Sequence, residues 1–207
     1  MTKGVLFDLD GVLLDSEGLY TAFWSGIDNL YPTGIADYAL KIKGMALTAI
    51  LRNYETEDIR NDIRKRLDEY ECSIDYPAFP GAYATLEKLR TSGIKIALYT
   101  SSTNEKMLNV WKQHAALKAM FDVIVTSSMI TRSKPDPEGY LLAARMLGLR
   151  AEDCVVVEDS LQGVEAGRRS GAYVVGISTT NPAEALEGLA DIVLPSVEGL
   201  YDCILKR

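Results

Sequence analysis

The chain has little of what many catalytic and binding schemes require. It contains one histidine, His114, and three widely separated cysteines, Cys72, Cys154 and Cys203. A single histidine argues against histidine-centred triads and multi-histidine metal sites. His114 falls in a predicted helix and reads as a surface or packing residue. Three distant cysteines suit neither a disulfide framework nor a zinc site, and point to reduced, mostly structural thiols in the cytoplasm. No apolar run approaches the length of a membrane span. The first residues lack the basic lead-in, apolar stretch and cleavage site of a signal peptide. Net charge is −7, so the basic footprint of a nucleic-acid binder is missing. Repeats and low-complexity tracts are missing too. What remains is ordinary globular material, 47% hydrophobic and 25% charged over 207 residues. That suffices for one core domain carrying a small insert.

The first predicted strand, Val5 to Asp10, is an apolar run that ends in two carboxylates. Period-two geometry places Asp8 and Asp10 on one side of it. Two acids at the end of a buried strand repel each other and call for a cation nearby. Strand ends are also where open α/β sheets keep their ligands. A solvated turn before Gly11 explains this stretch equally well on its own.

Beyond it, Ser16 is a plausible N-cap, without the capping-box partner at Leu19. A helix through Phe23 and Trp24 is expected to end near Tyr31-Pro32. Residues 37–54 are ambiguous, with helix on either side of a Lys43-Gly44-Met45 turn. Thr56 to Glu71 carries Ile59, Ile63 and Leu67 at helical spacing. Residues 15–78 hold no convincing strand and read as a helical insert. Pro and Gly in Tyr76–Gly81 mark the return. Strands and helices then alternate. Strands are predicted at Ile94–Thr100, Phe121–Thr126, Cys154–Asp159, Tyr173–Ile177 and Ile192–Leu194. Helices are predicted at Ala82–Ser92, from Glu105 to about Ala116, and over Asp136–Gly148, Ser160–Ser170 and Val197–Leu205. The expected fold is α/β: a Rossmann-like, mostly parallel sheet with helices on both faces and a small α-helical cap inserted after the first strand.

Four polar groups recur at strand C-termini or just beyond them: Asp8 with Asp10, Thr100 with Ser101, Lys134, and Glu158 with Asp159. Each has a plainer explanation alone. Thr100-Ser101 suits a capping turn, Lys134 a solvated loop, and Asp159 an N-cap. Their recurrence in the βα slots favours one shared crevice. Carboxylates there suit an oxygen-ligated Mg²⁺. A hydroxyl and a lysine suit phosphoryl oxygens. One of the paired acids suits a nucleophile, and the other, its pKa expected to be raised by its like neighbour, suits an acid and base.

On these motifs the chain resembles the haloacid dehalogenase superfamily, in the subfamily with a helical cap after the first strand. Asp8-Leu9-Asp10-Gly11-Val12 resembles its D-x-D-x-[TV] motif, Thr100 the second, and Lys134 in Ser133-Lys134-Pro135-Asp136 the third. Glu158-Asp159-Ser160, with Gly163, Ala166 and Gly171 after it, resembles the fourth. The resemblance implies a core of residues 1–14 and 79–207 and a cap of residues 15–78. It implies that Asp8 attacks phosphorus and that Asp10 protonates the leaving alcohol and then activates water. Thr100, Ser101 and Lys134 would hold the phosphoryl group. Mg²⁺ would sit on Asp8, Asp10, Glu158 and Asp159. The second acid argues against dehalogenation, because the dehalogenase branch lacks it.

Ser16, Glu17, Tyr20 and Lys43 are the cap residues expected to face the site; packing explains Tyr20 and Trp24 as well, and solvation explains Lys43. The β-phosphoglucomutase branch carries a histidine where this chain has Tyr20, and an arginine where it has Leu47. A phosphatase acting on a small sugar or polyol phosphomonoester is therefore expected, as a monomer or weak homodimer. A sugar phosphomutase is the alternative. A receiver-like signalling domain and a catalytically silent binding module stand further off.

Overall fold

The computed structural model describes residues 2–206. Six parallel strands form one sheet: β1 (Gly4–Phe7), β2 (Lys95–Tyr99), β3 (Val123–Val125), β4 (Cys154–Glu158), β5 (Tyr173–Ile177) and β6 (Ile192–Leu194). Their spatial order is β3-β2-β1-β4-β5-β6. β1 is central, with Val5 opposite Ile96 on one side and Val155 on the other. Both β1 and β4 are buried along their whole length, which is why they read as unbroken apolar runs rather than alternating ones.

The helices are α1 (Glu17–Leu30), α2 (Tyr38–Lys41), α3 (Leu47–Ile50), α4 (Glu57–Ser73), α5 (Ala82–Thr91), α6 (Asn104–Gln113), α7 (Ala115–Lys118), α8 (Glu138–Met146), α9 (Leu161–Ser170), α10 (Ala183–Leu186) and α11 (Leu200–Leu205). Period two sorts the strand residues between the two faces. Val5, Phe7, Leu98 and Val157 pack with Leu86 of α5 and Val110 of α6. Leu6, Ala97, Tyr99 and Val156 pack with Tyr140 of α8 and Val164 of α9. Among the described residues no helix is long and apolar enough to cross a membrane.

The helices α1 to α4 close around a cluster of their own, with Trp24, Ile27, Tyr38, Ile63 and Leu67 buried together. The chain leaves and re-enters the sheet layer side by side. Asp15 N donates to Pro77 O at 2.8 Å, and Phe79 N to Leu13 O at 2.9 Å. The helical layer also rests on the strand ends. Ser101 Oγ donates to Gly44 O at 2.7 Å, and Gln162 Nε2 to Lys41 O at 2.9 Å.

Several expectations need correction. β1 stops at Phe7, so Asp8 and Asp10 lie beyond the strand rather than on its face. The chain turns at once there: Leu9 O accepts from the N–H groups of Val12, Leu13 and Leu14, and Gly11 takes φ 78°. β4 likewise ends at Glu158, one residue short of Asp159. The helix expected from Glu105 to Ala116 breaks at His114. The His114 ring is held by two side contacts, accepting from Tyr83 Oη at 2.8 Å and donating to Tyr76 O at 2.5 Å. The ambiguous stretch 37–54 resolves into α2, α3 and a 3₁₀ turn.

Candidate active site

Asp8 is 5% exposed, and its carboxylate meets Lys134, a residue 126 positions away in sequence. Lys134 Nζ lies 2.7 Å from Asp8 Oδ1 and 2.6 Å from Glu158 Oε1. No part of the Lys134 side chain reaches solvent. Burial opposes its charge, yet Asp8 and Glu158 outweigh that and push its pKa above the ordinary lysine range. The rings of Tyr99 and Tyr140 flank the ammonium at 4.8 and 5.5 Å. Tyr140 Oη donates to Glu158 Oε1 at 2.7 Å. Glu158 Oε2 accepts from Asp159 N at 3.1 Å and from Ser160 Oγ at 3.1 Å. Helix α9 approaches closely enough here that a Cβ on Gly163 would fall 1.9 Å from the Glu158 carboxyl carbon. Only glycine fits there.

Carboxylate oxygens of Asp8, Glu158 and Asp159 lie within 4.8 Å of one another, and all three residues are buried. Burial pushes Asp8 up to about 8, with Glu158 adding to the rise and Lys134 opposing it. Burial, then Glu158, Glu17 and Asp8, push Asp159 well above the carboxylate range. Asp159 Oδ2 is buried without a hydrogen-bond partner. One lysine among three crowded acids leaves negative charge uncompensated. An all-oxygen donor set with an orphaned, solvent-free oxygen fits a hard divalent cation such as Mg²⁺.

Asp10 is held differently. Lys106 Nζ lies 2.6 Å from its Oδ2, Ser102 Oγ donates to the same oxygen at 3.1 Å, and Ser16 Oγ donates to Oδ1. The expected rise of its pKa is corrected: burial opposes its ionisation, but Lys106, Ser16 and Ser102 outweigh burial and the neighbouring acid and hold its carboxyl below the usual range. The expected N-cap role of Ser16 is thus corrected. It stands at the start of α1, but its hydroxyl makes no cap bond. The Gly11 turn brings Asp10 back within its reach. At the fourth motif the N-cap is Ser160 rather than Asp159, accepting from Gly163 N at 3.0 Å.

Asp8, Asp10, Thr100, Ser101 and Lys134 share one cavity of about 100 Å³ with the expected cap residues Glu17, Tyr20 and Lys43. Thr100 is 1% exposed, and its hydroxyl accepts from Ser102 N at 3.1 Å. Lys43 Nζ is paired with Glu17 Oε2 at 2.8 Å. Tyr20 does more than pack. Its hydroxyl donates to Glu71 Oε1 at 3.0 Å, and its ring lies 4.1 Å from Lys106 Nζ. Sequence reasoning missed Lys106, Ser102 and Glu71. The one signal for Lys106 is its place beside Met107 and Val110 on the buried side of α6.

A parallel sheet whose strand ends gather two aspartates, a hydroxyl, a lysine and an acidic pair is a phosphoryl-transfer architecture. Comparison with known proteins agrees. Residues 2–171 match the family model of the haloacid dehalogenase-like hydrolases, and the chain belongs to that family. It is an enzyme of the phosphohydrolase class. It is 34% identical to hexitol phosphatase A of Escherichia coli over 201 residues, covering 95% of this chain and 92% of that protein. It is 28% identical to the β-phosphoglucomutase of Bacillus subtilis over 195 residues, covering 87% and 85% of the two chains. The crystal structure of a hydrolase from Pseudomonas syringae superposes with a TM-score of 0.85 at 25% identity, covering 100% and 99% of the two chains.

Proposed function

We propose that this chain is a Mg²⁺-dependent phosphatase of small sugar or polyol phosphomonoesters, working through an aspartyl-phosphate on Asp8. Asp8 would attack phosphorus as the bond to the leaving oxygen breaks, and Asp10, held ionised in the free chain by Lys106, Ser16 and Ser102, would take the proton of the monoanionic ester and pass it to that oxygen. Asp10 would then take a proton from water as the water displaces Asp8 and releases phosphate. Thr100, Ser101 and Lys134 would hold the phosphoryl oxygens. Asp8, Asp159 and the Asp10 carbonyl, with Glu158 beside them, would hold the ion. Bound there, Mg²⁺ supplies charge neutralisation for the acids and the phosphoryl oxygens. Residues 15–78 would act as a cap that closes over the leaving group and keeps bulk water out. We place the activity in the cytoplasm and in a monomer or weak homodimer.

The observation that carries phosphatase over mutase is the state of the cavity lysines. With Lys134 assigned to the transferring phosphoryl group, the cavity lysines that remain are Lys106, paired with Asp10, and Lys43, paired with Glu17. A mutase must hold a second phosphate, and either lysine would have to give up its acid to do so. Tyr20, bonded to Glu71, and the apolar Leu47 line the cavity where the mutase branch has histidine and arginine. The likeness to hexitol phosphatase A supports the polyol choice.

The test is phosphate release from an aryl phosphate and from hexitol phosphates, with and without Mg²⁺. It runs beside the isomerisation of β-glucose 1-phosphate under a bisphosphate primer. Hydrolysis lost in Asp8→Asn, without isomerisation, is the expected result. Isomerisation exceeding hydrolysis would move the assignment to the mutase.

A further inference from the structure

Glu71 takes no part in the chemistry proposed above, yet it is a buried acid in the same cavity as Asp8 and Asp10. It sits in the last turn of α4, 5% exposed. The Tyr20 hydroxyl at 3.0 Å is its one side-chain hydrogen-bond donor among the described residues. The Tyr76 hydroxyl goes to the Glu71 backbone carbonyl instead, at 3.0 Å. Lys106, the cation whose charge acts most on Glu71, makes its hydrogen bond and ion pair with Asp10 instead. Trp24, Leu47, Ile50 and Leu67 give the cavity an apolar share of its lining from the insert, which also supplies Glu17, Thr21 and Lys43. Burial pushes the carboxyl up to about 7.

A carboxylate accepts at about four lone-pair positions. Here one is used. Leaving a buried acceptor short of donors costs about 1–3 kcal/mol, and more for a charged group. An apolar side chain of similar size would carry no such cost. A buried acid in that place makes sense if something entering the cavity brings donors. The lining joins Asp8, Thr100 and Lys134 of the sheet layer to Glu71, Trp24, Leu47, Ile50 and Leu67 of the helical insert. An ester whose phosphoryl group lies against Asp8 has its alcohol left to meet the residues of the insert.

We propose that Glu71 recognises the alcohol half of the substrate, accepting hydrogen bonds from hydroxyl groups beyond the ester oxygen. This deepens the phosphomonoesterase reading and rests on it for which end of the ligand faces Glu71. It names the leaving group as a neutral polyhydroxy alcohol. It also disfavours a leaving group with a carboxylate or second phosphate at that end, which Glu71 would repel.

Binding separates this proposal from the hydrolase reading, because it needs no turnover. In an Asp8→Asn background with Mg²⁺ present, affinities are read from the rise in melting temperature for two esters of equal chain length. One is an alditol phosphate, the other an alkyl phosphate without further hydroxyls. The alditol ester is expected to bind about tenfold more tightly. Adding Glu71→Leu should bring the two esters within about twofold. Adding Glu71→Gln, which keeps an acceptor oxygen, should fall between them. The melting temperature of each protein without ligand reports whether it has folded. Equal binding of the two esters by the Asp8→Asn protein, binding of neither, or a hydroxyl preference that survives Glu71→Leu overturns the proposal. Absence of phosphate release from every ester by the chain with Asp8 intact would instead sink the hydrolase reading, while the binding result stands by itself.

Discussion

Lys106 and Asp10 lie 96 residues apart in sequence, and their charged groups meet at 2.6 Å. The lysine comes from α6, and its side chain is 5% exposed. With Ser16 and Ser102 it fixes the Asp10 carboxylate from three directions. Lys106→Met should leave Asp10 mobile and short of its counter-charge. Because a positioned acid and base contributes about 10²-fold or more, kcat on an alkyl phosphate should fall by about that factor, with a smaller change in KM. Lys106→Arg should recover part of it. Steady-state kinetics on the three proteins checks this, and an unchanged kcat in Lys106→Met would contradict it.

The Lys134 cluster makes a prediction about stability. Removing one partner of a buried ion pair costs about 3–5 kcal/mol, because the other charge is left uncompensated. Lys134→Met leaves Asp8 and Glu158 facing each other. In EDTA its melting temperature should drop by about 10 °C, at a few degrees per kcal/mol for a chain this size. Excess Mg²⁺ should restore part of the loss, since an ion at the acidic cluster supplies the missing positive charge. Asp159→Asn should weaken that Mg²⁺ effect. Equal drops in EDTA and in Mg²⁺ would argue against an ion at the Asp8, Glu158 and Asp159 cluster.

Glu71 gives a pH dependence with a definite sign. Its folded pKa is raised from 4.5 to about 7, so the folded state holds the proton longer than the unfolded chain does. Its contribution is therefore fully favourable below the unfolded value and is lost as pH rises through about 7. The loss is bounded at about 3 kcal/mol. Stability measured by urea unfolding at several pH values, with Mg²⁺ in excess to keep the acidic cluster ionised, should fall over that window. Glu71→Gln should flatten the fall. Parallel curves for the two proteins would contradict it.

The sheet was legible because β1 and β4 are buried on both faces and carry continuous apolar runs. The polar residues following each strand then announced the crevice, and Thr100 and Lys134 fell where the βα order put them. Lys106 and Glu71 were not legible. Lys106 stands between Glu105 and Met107 in an amphipathic helix with Lys112 further on, a pattern any surface helix shows. Glu71 ends a helix dense in Asp, Glu, Lys and Arg. Only the packing of α1, α4 and α6 around the cavity buries their charged ends; for Lys106 the one local hint is its place beside Met107 and Val110, and for Glu71 there is none. Ser16 shows the converse. Its local setting is that of an N-cap, but the turn at Gly11 returns Asp10 to it and the longer-range partner wins.

Phosphorylation of Asp8 leaves a mass that acid quenching can trap. The enzyme with Mg²⁺ is mixed with an aryl phosphate, quenched within the first turnovers and digested, and the peptide containing Asp8 is weighed. Added mass equal to one phosphoryl group is expected on Asp8, lost on treatment with hydroxylamine and absent from Asp8→Asn. Sustained phosphate release with that peptide unmodified, or with the group on another residue, would contradict it.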